Sequence, residues 1–323
     1  MKRTTIKDLA EMLHISTSTV SRALKDHPDI SNSVKLKVRE AAETFNYVPN
    51  DFAINFRKKS SKVIGLIVPS ISMFFIPSII KGISSVLNKK GYHFFILSSE
   101  DSYEIERENI QTCINSRVDG ILISLTKETK DFKHFEKMNE MEVPVVIFDK
   151  IIPQDLYDSV IFDNEKNAEL SAKKLIQHGC KKILAIFGDE SLGITQTRKE
   201  SFLNTLQSIP EIQCKTIYCE SPESVKEKLD IILEYDQFDG FFAMSDETLA
   251  GLHSSLVKKK LDTTHIKVVA ISEGTLPKYL DESYEYQIND GCEMGMIAAS
   301  ALISRIQKKE EEDVILVPKT FYI

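Results

Sequence analysis

The sequence predicts a chain in two parts, a small all-α head followed by a large α/β body of two lobes with parallel sheets. Three observations carry this. Residues 4–24, TTIKDLAEMLHISTSTVSRAL, hold two short amphipathic helices around a tight turn. From Lys62 onward, short apolar runs without internal alternation are separated by helix-length amphipathic stretches, the pattern of parallel strands covered on both faces. Charge divides at the same place. Residues 1–62 hold twelve Lys or Arg and seven Asp or Glu, a balance of +5, whereas the chain as a whole carries 41 against 48, a net −7, so the remainder carries −12.

In the head, Ile6, Leu9, Ala10 and Leu13 recur at three- and four-residue spacing and line one face of a first helix. Thr5 is its predicted cap, with Asp8 as the acidic member of a capping box. Ser16 caps a second helix whose Val20 and Leu24 turn back toward the first, leaving Thr17, Ser18, Ser21 and Arg22 as an outward strip. Two helices this short need a third. Val34, Val38, Ala41, Ala42 and Phe45, between Ser33 and Phe45, supply it. An α-helix fits the major groove of B-form DNA, where hydroxyls and a guanidinium reach base edges and phosphates. A generic helical hairpin is the plainer reading of such a short pattern. The basic balance of the head and the segment after it favour duplex DNA.

That segment, Tyr47 to Lys62, begins with Pro49, which stops the third helix, and Asn50, which can cap a new short one. Phe52 and Phe56 lie one turn apart on it, beside Arg57, Lys58 and Lys59. Apolar side chains next to a basic run suit a minor-groove wedge. A solvated basic linker, its phenylalanines tucked onto a neighbouring domain, accounts for the same residues.

In the body, predicted strands run through Val63–Val68, Tyr92–Leu97, Gly120–Ser124, Val143–Phe148, Lys182–Phe187, Gly240–Met244 and Val268–Ile271. Ile79, Ile83, Val86 and Leu87 mark the first intervening helix. So long a body exceeds one comfortable core and implies two lobes. In parallel α/β lobes, ligands sit at the carboxyl ends of strands. That rule selects Phe74 and Phe75, Asp149 and Lys150, Ser245 and Asp246, and Ser272 and Glu273. Arg198 joins them as the first residue of a helix whose Phe202 and Leu206 face inward, with its guanidinium expected to clamp vicinal oxygens. Taken singly, each could be a helix cap or a surface charge.

At this point TIKDLAEMLHISTSTVSRAL and AAETFNYVPN are very similar to the headpiece of the LacI/GalR bacterial transcription regulators. The likeness continues through DGILIS, VPVVIFDK, VIFDNEKNAEL, RKESF, MSDETLAG and VVAISEG. The resemblance implies a helix-turn-helix headpiece (1–48), a hinge helix and linker (49–61) and a periplasmic-binding-protein-like core for effector binding and dimerisation (62–323). Within the core it implies a first lobe of about 62–162 with 288–310 and a second of about 163–287 with 311–323. The implied DNA contacts are Thr5, Thr17, Ser18, Thr19, Ser21 and Arg22 in the headpiece, and Asn50, Ile54, Phe56 and Arg57 in the hinge. Phe56 stands where the family usually has an intercalating leucine, Ile54 replaces a frequent arginine, and His14 takes a turn position often held by glycine or asparagine. Phe75, Asp149 and Arg198 match effector-contacting positions. The loop from Val68 to Phe75 is one residue shorter than usual, and Ser245 and Ser272 replace a frequent asparagine and aspartate. Two short serines imply a bulkier or differently charged ligand, or one held through water.

The expected function is a sequence-specific transcription regulator, a repressor acting as a homodimer on a palindromic operator and controlled by a sugar or sugar derivative between the lobes. The alternative is a solute-binding protein without a regulatory role. No cofactor, metal or membrane partner is expected. Enzymatic readings lack a constellation: GxxxxGK[ST], GxSxG and HExxH are all missing. Cys113, Cys180, Cys214, Cys219 and Cys292 form no CxxC pair, and Met1-Lys2-Arg3 leads directly into a helix cap, so a cytoplasmic protein with reduced thiols is expected. The run Lys308 to Asp313 is expected to be a solvated turn before a last strand from Val314, and the lack of a terminal leucine heptad favours a dimer over a tetramer.

Overall fold

The structure is a computed structural model that describes residues 4–47, 60–71, 75–150, 157–261, 265–310 and 320–322. Asn50, Ile54, Phe56, Arg57 and Phe74 lie outside the described residues, as does the strand expected from Val314. The chain divides into two compact units, Met1–Ser61 and Lys62–Ile323.

In the first unit, α1 (Ile6–Met12), α2 (Thr17–Leu24) and α3 (Asn32–Thr44) enclose Leu9, Ala10, Val20, Ala23 and Val38. Thr5 Oγ1 accepts the Asp8 N–H at 3.3 Å, and the Asp8 carboxylate accepts the Thr5 N–H at 2.7 Å, a reciprocal capping box. Ser16 Oγ accepts the Thr19 N–H at 3.1 Å. The three helices end alike. His14, Asp26 and Asn46 adopt left-handed φ values of 52°, 59° and 46°. The following residue then bonds back to the helix: Ile15 to Ala10, His27 to Arg22 and Tyr47 to Ala42, at 3.0, 3.0 and 2.8 Å. This is a Schellman closure, which satisfies carbonyls that the helix leaves orphaned. It also corrects one expectation for the core. Phe45 is 44% exposed, because the turn at Asn46 carries the chain inward and Tyr47 packs against the core instead.

The second unit holds two parallel sheets. The first has the order β11-β5-β4-β3-β1-β2 and contains β1 (Val63–Val68), β2 (His93–Ser98), β3 (Gly120–Ile123), β4 (Val145–Phe148), β5 (Asp158–Ile161) and β11 (Thr320–Tyr322). The second has the order β10-β9-β8-β6-β7 and contains β6 (Lys182–Phe187), β7 (Gln213–Tyr218), β8 (Gly240–Ala243), β9 (Lys267–Ser272) and β10 (Glu285–Ile288). Buried runs such as Ile64–Val68 and Ile183–Phe187 match sheets covered on both faces.

On the first sheet pack α4 (Phe75–Lys89), α5 (Tyr103–Asn115), α6 (Glu136–Glu140) and α12 (Gly291–Glu310). The helices α4 and α12 approach so closely that a Cβ on Gly82 would lie 2.0 Å from the Cys292 carbonyl oxygen. Only glycine fits there. The second sheet carries α7 (Asn164–Gln177), α8 (Gly193–Gln207), α9 (Pro222–Tyr235), α10 (Asp246–Lys258) and α11 (Leu276–Leu280).

Two boundaries differ from expectation. The C-terminal strand does not join the second lobe: Thr320, Phe321 and Tyr322 pair with Ser159, Val160 and Ile161, which places it at the edge of the first sheet. An apolar run announces a strand but does not say which sheet edge will take it. The charged run from Lys308 is helical as far as Glu310, where α12 ends. Among the described residues, no helix is long and apolar enough to cross a membrane.

Candidate functional site: an interlobe cleft and a headpiece surface

In the headpiece, Thr17, Ser18 and Arg22 are exposed on α2, whereas Thr19 and Ser21 are half-buried. Some of the expected contact residues have local work to do. Thr19 Oγ1 lies 2.8 Å from Ser16 Oγ, within the cap of α2, and Ser18 Oγ lies 2.7 Å from the same oxygen. Thr5 is bound into the capping box of α1. Arg22 alone on this surface combines a fixed charge with a planar donor fork.

In the second unit, a cavity of about 240 Å³ opens at the carboxyl ends of strands from both sheets. Phe75, Asp149, Arg198, Ser245, Asp246, Ser272 and Glu273 all line it. Lys150 does not line the cavity; its Nζ stands 3.7 Å from Asp149 Oδ2. Asp149 is placed by a left-handed turn at the end of β4, with φ 68° and its N–H bonded to Val160 O at 3.0 Å.

Arg198 is the sixth residue of α8, not its first, and its side chain is 4% exposed. Its guanidinium is also less free than the sequence suggests. Nε donates to Asn164 Oδ1 at 2.9 Å and Nη1 to the Met244 carbonyl at 2.6 Å. An arginine offers five hydrogens, so three remain for a ligand. Burial lowers its pKa to about 10, opposed by the charges of Asp149, Glu247 and Asp246.

Asp246 is the acidic counterpart, 4% exposed at the first turn of α10. Its carboxylate accepts from the Ser272 hydroxyl and from the Glu273 N–H, the latter at 2.9 Å. Burial pushes its pKa up to about 6, against those two hydrogen bonds and with the help of Glu247 and Glu273. Ser272 Oγ in turn accepts the Gly274 N–H at 3.0 Å. Ser272 therefore positions Asp246, and the carboxylate is the stronger acceptor at this place. Ser245 caps α10, its hydroxyl accepting the Thr248 N–H at 3.3 Å. For this serine the helix-cap reading is the realised one.

Other lining residues escaped the sequence. Ser124 follows β3 and Asn289 follows β10, so both obey the strand-end rule. Asn289 was hidden because β10 itself was not recognised. Asn164 opens α7 and orients Arg198 from outside the lining; no local sequence signal marks it. Glu247, Met244 and Ile194 also line the cavity, together with Pro69, Ser70, Ile76 and Ile271.

Residues 61–323 match the model of periplasmic binding proteins and the sugar-binding domain of the LacI family, and residues 5–50 match that of the bacterial regulatory proteins of the lacI family. The chain belongs to the LacI family. Among curated LacI-type relatives, it is 28% identical over 323 residues to the ribose operon repressor of Bacillus subtilis (strain 168), covering 98% of this chain and 96% of that one. It is 26% identical over 303 residues to the ribose operon repressor of Lactococcus lactis subsp. lactis (strain IL1403), covering 93% and 90%. Among solved structures, its fold is similar to that of the Lac repressor dimer bound to operator and the anti-inducer ONPF, with a TM-score of 0.81, 20% identity, and coverage of 99% and 97%.

Proposed function

We propose that the protein is a homodimeric, cytoplasmic repressor that binds a palindromic operator through α2 and changes its operator affinity when a small sugar occupies the interlobe cleft. The observation that carries this reading is the buried Arg198, with guanidinium hydrogens to spare, in a cavity that also presents Asp149 and Asp246. Donor fork and carboxylates together suit adjacent hydroxyls, each of which must both give and accept a hydrogen bond. The cavity is smaller than the roughly 300–1,000 Å³ of drug-sized pockets, which favours a monosaccharide. Ribose, named in the two curated relatives, is the first sugar to test.

Thr17, Ser18 and Arg22 are the proposed base- and phosphate-reading residues. Two copies of α2 would enter successive major grooves about one helical turn apart, or a multiple of it. Ile231 and Tyr235 on α9 and Val257 on α10 are 64%, 84% and 61% exposed, large apolar side chains that a second copy of the chain would cover. The same two helices are tied by Lys258–Asp230 and Lys259–Glu234 ion pairs. Burial pushes the Cys113, Cys180 and Cys214 thiols up to about 12, 11 and 11, so none of these three is a ready nucleophile.

A gel-retardation series with inverted-repeat DNA from beside its own gene, with and without D-ribose, tests the reading. Specific retardation that sugar alters is expected. Removal of residues 1–60 should abolish retardation and keep the thermal stabilisation by sugar. A full-length protein that prefers no inverted repeat, yet binds sugar, would favour solute capture without regulation.

A further inference from the structure

Lys127 and Asp189 belong to opposite lobes. Lys127 follows β3 of the six-stranded sheet, Asp189 follows β6 of the five-stranded sheet, and Lys127 Nζ stands 3.3 Å from Asp189 Oδ2. Each end is held by its own lobe. On the first, the buried Glu106 of α5 straps down the loop that carries the lysine: its carboxylate accepts the Thr126 N–H at 2.7 Å and the Thr129 hydroxyl at 2.7 Å. His134 Nε2 lies 2.9 Å from the same carboxylate. On the second, Asp189 Oδ1 accepts the N–H and the hydroxyl of Ser191 at 2.9 and 2.7 Å, which leaves Oδ2 for the lysine.

Asp189 and further acidic side chains raise the pKa of the ammonium. Asp101 from the lysine's own lobe and Glu220 from the other both act on Lys127 along with Asp189. With no cation between them, carboxylates of the two lobes would face one another. We propose that Lys127 and Asp189 form an interlobe clasp that favours the closed core. The proposal rests on the reading of the cleft as an effector site only for its consequence, that a core biased toward closure needs less sugar to respond.

Exposed ion pairs ordinarily contribute little because two long side chains must be ordered. Here Ser191 fixes the Asp189 carboxylate and Glu106 fixes the loop that carries Lys127, so removing the pair should lower the closed-to-open ratio about two- to fivefold. The test is single-molecule energy transfer on the full-length chain without any small molecule. Dyes are placed by bio-orthogonal labelling at exposed Asn115 and Ser208, one on each lobe. Lys127→Met should reduce the closed fraction by that factor and Lys127→Glu should reduce it further. Lys127→Arg, which keeps the cation, should hold it within about twofold of the parent. Raising NaCl from about 0.05 to 0.5 M should lower the ratio in the parent and leave Lys127→Met unmoved, since only an ion pair is screened. A parent distance that neither salt nor any variant shifts, or a Lys127→Arg variant that opens as far as Lys127→Met, overturns the clasp. D-ribose added afterwards reports on the cleft alone: no response there counts against the proposed function and leaves the clasp standing.

Discussion

Replacing Asp246 with asparagine isolates the electrostatics of the cleft. Burial raises this carboxyl from its ordinary 3.8 to about 6, so the folded protein holds the Asp246 proton more tightly than the unfolded chain does. The stability contributed by this group is therefore fully present below about pH 4 and is lost as pH rises through about 6. The gap between 3.8 and about 6 corresponds to about 3 kcal/mol, at roughly 1.4 kcal/mol for each tenfold change in proton affinity. Asparagine fills the same space and never ionises. Its carbonyl can accept from Glu273 N–H and its amide can donate to Ser272 Oγ, at a cost of about 1 kcal/mol for the altered hydrogen bonds. The variant should therefore exceed the parent by about 2 kcal/mol at pH 8 and fall about 1 kcal/mol below it near pH 4. Urea unfolding followed by circular dichroism between those limits measures the difference. His253, whose pKa burial lowers, titrates in both proteins and cancels in the subtraction. A difference that does not change with pH, or a variant weaker than the parent at pH 8, would refute the reasoning.

Arg198→Lys keeps the charge but loses the fork, and one ammonium cannot hold Asn164, Met244 and a ligand together. Sugar affinity should fall about tenfold or more with operator affinity within about twofold, as titration calorimetry and gel retardation would show; unchanged sugar affinity would place the ligand elsewhere. Arg22→Ala should relax base choice at one operator position by about 1–3 kcal/mol in a binding-site selection. An equal loss on every sequence would mark Arg22 as a phosphate contact. His14→Gly relieves a left-handed φ of 52° and should raise headpiece stability by about 0.5–1 kcal/mol in hydrogen exchange without altering operator affinity. A fall in protection would mean that the imidazole itself matters.

What the sequence made legible was periodic or local. The three headpiece helices, their Thr5 and Ser16 caps and the buried strands β1, β3, β4, β6, β8 and β9 were read from spacing within a few residues, whereas β5, interior to its sheet but only DSVI, was too short to stand out. The edge strand β2 was read too, but both edges of the second sheet were harder. β7, QCKTIY, mixes polar and apolar residues because it lies at the rim of its sheet, and β10, EYQI, does the same at the other rim. Neither shows the unbroken apolar run that marks a central strand. The destination of β11 was beyond any local signal, since pairing with β5 links residues far apart in the chain. In the cleft, the strand-end rule found Asp149, Asp246 and Ser272 but not how they divide the work. That Ser272 serves Asp246, and that Asn164 steers Arg198, depends on contacts across 26 and 34 residues. Residue identity proposes a ligand contact, but the partners already engaged decide what is left for a ligand.

Magnitudes decide which force governs the switch. Moving a two-state core from about one closed molecule in a hundred to ninety-nine requires about 5.5 kcal/mol of differential binding. An exposed ion pair such as Lys127–Asp189 contributes roughly 0.2–1 kcal/mol, too little to close the lobes by itself. The buried Arg198 and Asp246 can exert far more, because a ligand that completes their hydrogen bonds does so out of water, at about 1.5–3 kcal/mol for each bond to a charged group. Two such bonds made only in the closed state approach the required energy. The proposed clasp would then set the ligand concentration at which the response begins, and the cleft would set its size. Mutations in the two places should therefore separate: clasp variants shift the midpoint of the sugar response at constant amplitude, whereas Arg198 variants diminish the amplitude itself.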